Sequence, residues 1–117
     1  MTIEQRVILT SLDVNIEEVL ERFIGNEMLY IKCLKKLLSD TNYDGMLRAI
    51  QAGNAAEAFE CVHALKGVSA NLGLQRLYNE TRPITEVFRA GSLDYDKDNL
   101  YRLTAEYAEA TEKIKQL

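Results

Sequence analysis

Ala55-Ala56-Glu57-Ala58-Phe59-Glu60-Cys61-Val62-His63-Ala64-Leu65-Lys66-Gly67-Val68-Ser69-Ala70-Asn71-Leu72-Gly73 is the stretch from which the rest of the chain is read. Asn54 precedes it as a helix cap with Glu57 at the third helical position, and Gly73 closes it, so the segment between reads as one long helix. A helix advances about 100° per residue, which gathers Ala55, Ala58, Val62, Leu65, Ser69 and Leu72 on one side. His63, the single histidine of the chain, falls roughly 100° from the centre of that stripe and is expected on the flank, facing solvent. Lys66 and Gly67 follow it by three and four residues and are its neighbours on the helix surface. Helical side chains lean toward the N-terminus, so the residue four positions on covers the surface beside His63, and here that residue has no side chain. Gly inside a helix costs about 1 kcal/mol relative to Ala, and leaving the imidazole open to another protein would explain why it is there. Ala56 and Ala70 extend the smooth face. Lys66 can bring a positive charge to an anion on the ring, worth roughly 1 kcal/mol at 4 Å in bulk water and more where a partner excludes solvent; Glu60, one turn back, opposes it mildly.

Outward from this helix every segment keeps the same periodicity. Asn15-Ile16-Glu17-Glu18 opens a helix through Val19, Leu20 and Phe23 that stops at Gly25. Asn26 caps the next, with Met28, Leu29, Ile31, Cys33, Leu34, Leu37 and Leu38 expected inward. Thr41-Asn42-Tyr43-Asp44 breaks it and starts another, striped by Met46, Leu47 and Ile50 and ended by Gly53. Leu74 to about residue 90 is the fifth segment, with a kink expected at Pro83. Asp94 to about residue 116 is the last, with Leu100, Leu103, Tyr107, Ala110 and Ile114 on one side. The residues before Asn15 read as a short leader. Short loops make successive helices antiparallel neighbours. The expected fold is all-α: one domain over residues 1–117, an antiparallel four-helix bundle with one or two short extra N-terminal helices and a bundle core over about residues 26–116.

Composition narrows the function. The 117 residues suit one domain, and 47% hydrophobic with 27% charged residues is ordinary for a globular protein. A net charge of −4 with no basic stripe disfavours nucleic-acid binding. No apolar run approaches the ~20 residues of a membrane span, and Met1-Thr2-Ile3-Glu4 lacks the regions of a signal peptide. The chain is therefore expected in the cytoplasm, without a membrane partner. Cys33 and Cys61 lie far apart within helical patterns and read as reduced core thiols. No Walker glycine loop and no acidic cluster for Mg²⁺ is visible, so neither a cofactor nor a bound metal is expected.

The run Ala58 to Gly73 resembles the signature of histidine-containing phosphotransfer (HPt) domains: His-x-Leu-Lys-Gly, a small residue, then Leu-Gly. Asp13 through Tyr30 is similar to the family's first helices, and Ala49-Ile50-Gln51-Ala52-Gly53-Asn54 to its usual approach to the histidine helix, with Asn54 where Asp is commoner. The similarity spans roughly residues 13–91. It implies a phosphoryl carrier and not an enzyme. His63 would be the phosphoacceptor, Lys66 would steady the phosphoryl group, and Gly67 would admit the partner's active site, with Ala56, Phe59, Glu60 and Ala70 around it as the docking face. Family members often hold the second ring nitrogen from the neighbouring helix. Thr85 occupies that place here and is short for it; Arg82 or Glu86 could substitute. The implied partners are a response-regulator receiver domain, which brings its own Asp and divalent ion, and/or a hybrid histidine kinase, with the chain acting as a monomer. Imidazole chemistry suits the role, since a neutral ring is nucleophilic near pH 7 and its phosphoramidate is labile. A helical module that docks without phosphate chemistry is the alternative. General acid–base catalysis by His63 lacks a visible catalytic partner, and the dimerisation helices of histidine kinases precede an ATP-binding domain for which this chain has no room.

Overall fold

The computed structural model describes residues 1–117. The chain is all-helical: α1 (Ile3–Ser11), α2 (Ile16–Arg22), α3 (Glu27–Lys36, extended by a 3-10 turn over Leu37–Ser39), α4 (Asn42–Gln51), α5 (Ala55–Leu72), α6 (Gln75–Arg89) and α7 (Lys97–Ile114), with no strand. The starts follow the sequence closely. Asn15, Asn26 and Asn54 each accept a hydrogen bond from the backbone N–H three residues on, at Glu18, Leu29 and Glu57, which satisfies one of the amides a helix leaves free at its start. Asp96 caps α7 from the N–H of Asp98, so that helix begins a turn later than Asp94. Gly73 ends α5 in the left-handed region at φ 73°, and a Cβ there would also collide with the side chain of Val19, so the turn into α6 and the packing of α2 both require glycine.

The central helix is α5, packed against α4 on one side and α6 on the other; α6 in turn packs on α7, and α3 closes against α5. Ala58, Val62, Leu65 and Leu72 of α5 meet Met46 and Ala49 of α4, Leu77, Ile84 and Phe88 of α6, and Leu103, Ala110 and Ile114 of α7 in one buried core. Such burial is the main favourable term in folding, about 25 cal/mol per Å² of apolar surface. Gly45 lets α4 and α5 approach: a Cβ on it would lie 2.8 Å from the Cys61 sulfur. Both cysteines are free, and burial, with Glu57 close by, pushes the Cys61 thiol pKa up. The molecule extends 44 × 23 × 21 Å, and no helix is long and apolar enough to cross a membrane.

Two expectations are corrected, on α1 and on α3. The supposed leader is helix α1, closed by a Thr2/Gln5 capping box. It buries Leu9 but leaves Ile3 and Val7 exposed, so it carries no apolar stripe for a periodicity reading to find. On α3 the inward residues are Tyr30, Leu34 and Leu37; Met28, Leu29 and Leu38 are 85%, 43% and 40% exposed. Tyr30 takes the inward place because its hydroxyl donates to the Leu72 carbonyl at 2.8 Å, satisfying its polar end inside the core. Pro83 is carried within α6, which runs as one continuous helix from Gln75 to Arg89. The carbonyl deprived of its donor is that of Asn79, four residues back, and Asn79 and Pro83 are both exposed, so water can replace the missing bond.

Candidate functional site

His63 sits in the middle of α5 with its side chain exposed. The opposite face of the helix is the buried one, through Ala58, Val62, Leu65, Ser69 and Leu72, so the core packing that fixes α5 also fixes the direction of the imidazole. Phe59, one turn earlier, meets it edge to face, with ring centroids 5.1 Å apart and planes at 60°. That contact steers the ring without using either nitrogen. Neither ring nitrogen takes a hydrogen bond within the chain. Gly67 is exposed, and a Cβ on it would meet nothing within 4 Å. Space beside the imidazole is therefore open rather than filled by a neighbouring helix. Ala56, Glu60 and Ala70 are exposed on the same helix, as is Ala64, a further small residue that the sequence reading left out.

Lys66 is half-buried on the flank of α5 that faces α6. There it lines an open groove together with Tyr78, Asn79, Arg82, Pro83 and Glu86. Arg82 is exposed, with its guanidinium 5.8 Å from the Tyr78 ring centre. Glu86 accepts a 2.7 Å hydrogen bond from Nε of Arg89. This bond holds its carboxyl below the usual carboxylate range, assisted by the charges of Arg89, Lys66 and His63.

The three candidates for holding the imidazole divide differently from the expectation. Thr85 is fully buried, and its hydroxyl donates to the Thr81 carbonyl within α6. It faces the core, so its hydroxyl is spent on its own helix and does not reach His63. Arg82 and Glu86 lie on the groove side, and neither hydrogen-bonds the ring. Arg89 was missed. Its guanidinium lies 4.7 Å from the centre of the Phe59 ring, the same ring that contacts His63, so α6 reaches the site through Arg89 stacked on Phe59. The i, i+3 pairing with Glu86 was a sequence signal that could have drawn attention to it. Arg22 of α2 reaches the same helix from its other end, donating to the Ala70 and Asn71 carbonyls at 2.9 Å each, the first of which also accepts from the Gly73 N–H, and so ties down the last turn of α5.

Comparison with known protein families adds the deciding observation: the model of the family described as "Hpt domain" matches residues 18–113. The chain belongs to the Hpt domain family. Hpt domains carry phosphoryl groups on histidine in two-component phosphorelays, as phosphocarriers rather than classical enzymes, and the helical bundle is the architecture of the family. The match includes the last helix, α7, almost to its end, where the sequence signature reached only about residue 91. Searches of curated proteins and of solved structures return no match.

Proposed function

We propose that this Hpt domain accepts and donates its phosphoryl group on His63, exchanging it with the aspartate of a response-regulator receiver domain. One observation carries the assignment. Hpt domains work through histidine, the chain has a single histidine, and that residue is exposed in the middle of α5 beside the open surface of Gly67.

In the forward step an unprotonated ring nitrogen of His63 attacks the phosphorus of the receiver's aspartyl phosphate. A P–N bond forms as the P–O bond to the carboxylate breaks. The carboxylate leaves with the electron pair, and the proton on the other ring nitrogen stays in place. The divalent ion belongs to the receiver. This chain presents the nucleophile, holds its ring against Phe59, and brings the charge of Lys66 to the anion that results. Gly67 gives the receiver's active site room, with Ala56, Phe59, Glu60 and Ala70 forming the surface against which it rests. The exchange takes place in the cytoplasm, with the chain acting as a monomer and a hybrid histidine kinase as a further partner.

The test is a pair of proteins. Wild type and His63→Gln are incubated with phosphorylated receiver domains, and acid-labile phosphate on this chain is measured. Because His63 is exposed and off the core, the variant should fold as wild type does and take up no phosphate. Equal labelling of a folded His63→Gln would overturn the assignment. A wild type that binds receivers yet is never labelled would make the chain a docking module.

A further inference from the structure

Glu86 stands where a carrier of phosphate would be expected to avoid an acid. It lies on α6 facing the groove that Lys66 lines from α5, and its carboxylate is bound at 2.7 Å by Arg89. Arg89 in turn rests on the Phe59 ring that touches His63. Arg89 thus holds a carboxylate on the groove that Lys66 also lines, one ring away from the imidazole. Phosphorylation of His63 introduces a second anionic group beside this groove, whose cations are Lys66 and Arg82, with Arg89 reaching the site over Phe59.

Resting on the assignment of His63 as phosphoacceptor, we propose that Glu86 is a resident competitor for these cations: in the unphosphorylated protein its carboxylate holds the positive niche, and its repulsion raises the tendency of phosphorylated His63 to pass its phosphoryl group on. Arg89 is the movable part. Its side chain is 48% exposed and that of Glu86 63%, so the pair can part without opening the core. A guanidinium stacked on an aromatic face keeps its in-plane donors free at the edge, and these can turn from a carboxylate to a phosphoryl oxygen. Glu86 is here a positioning residue acting through Arg89 and Lys66; it touches no reacting atom. Glu60, on α5 itself, adds a like charge from the other side. The arrangement favours a domain that empties readily over one that stores phosphate.

The proposal is tested by the equilibrium of phosphoryl exchange between this chain and a receiver domain, measured for wild type, Glu86→Gln and Arg89→Gln at low and high salt. Removing the Glu86 charge should move the equilibrium toward phosphorylated His63, about threefold at low ionic strength, and the shift should shrink as salt screens it. Arg89→Gln, which leaves Glu86 without its partner, should move the equilibrium the other way. The Arg89 Nε–H resonance should also shift when the wild type is phosphorylated with phosphoramidate, and in Glu86→Gln, where the donor starts free of its carboxylate, it should still move on phosphorylation. An equilibrium unchanged in Glu86→Gln, or displaced toward the receiver, overturns the proposal, as does a displacement that salt does not alter. If wild type takes up no phosphate on His63, the assignment beneath the proposal falls and this falls with it. If wild type is labelled and the Glu86 and Arg89 variants both match it, the assignment stands and only the competitor role is lost.

Discussion

Access and charge are separate requirements for a histidine that carries phosphate, and neighbouring residues of α5 supply them. Lys66 provides charge from a half-buried position on the helix flank. An interaction of this kind is modest in water and grows when a partner excludes solvent. Lys66→Ala should therefore slow transfer from a receiver by about tenfold, corresponding to 1–2 kcal/mol, without abolishing it, because the receiver brings its own ion. Stopped-flow or quench measurements at low salt would show this; a variant as fast as wild type would make Lys66 a solvated flank residue. At this scale the site was partly legible. His63, Lys66 and Gly67 lie on one helix, and helical geometry alone places them together. Thr85 and Arg89 belong to α6, whose rotation against α5 is set by the packing of Leu77, Ile84 and Phe88. The stripe of Leu77, Ile84 and Phe88 was a signal for that rotation, with Thr85 three residues before Phe88, but the resemblance placed Thr85 toward the histidine when it is buried in the core.

The helices carry two glycines in opposite surroundings, and one substitution at each tests what the surroundings mean. At Gly67 a Cβ meets nothing within 4 Å. Gly67→Gln should keep or raise thermal stability, since Gln is the better helix former by somewhat under about 1 kcal/mol. Its side chain would lean back over the imidazole and occupy the receiver's space. Transfer from a receiver should fall steeply while labelling by a small phosphodonor falls less; normal transfer by the folded variant would show that docking occurs elsewhere. At Gly45 a Cβ would lie 2.8 Å from the Cys61 sulfur. Overpacking of this kind costs about 1–3 kcal/mol, and the gain in helix propensity returns somewhat under 1. Gly45→Ala should therefore lose about 1 kcal/mol in denaturant unfolding, and Cys61→Ala in the same chain should restore most of it; no loss in the single variant would show that the α4–α5 contact yields easily. Sequence gave away the element boundaries here because asparagine caps and glycine stops act locally. The inward face of α3 was harder: Met28, Leu29 and Leu38 are as apolar as the residues that are buried, and the place of Tyr30 depends on a carbonyl of α5.

The whole molecule holds the site by packing α5 between α4 and α6, and its N-terminal segment, which buries Leu9, Leu12, Val14 and Val19 in the same core, is pinned further by polar contacts. Arg76 pairs with Asp13, Glu106 and Glu109, joining the α1–α2 connection to α6 and α7. Gln5 donates to the Leu117 carbonyl at 3.1 Å, and the Met1 amine pairs with Glu27 at 2.7 Å. Contacts between residues so distant in sequence leave no periodic trace, which is why α1 read as a leader while the helices around His63 were plain. The central claim concerns one atom of one residue, and locating the phosphate tests it most directly. Wild-type protein should be incubated with a phosphorylated receiver domain and the modified position identified under alkaline conditions, where a phosphoramidate survives. The account predicts a single phosphoryl group, lost in acid, on the imidazole of His63; acid-stable phosphate on another residue, or an unmodified His63 beside a receiver that keeps its phosphate, would contradict it.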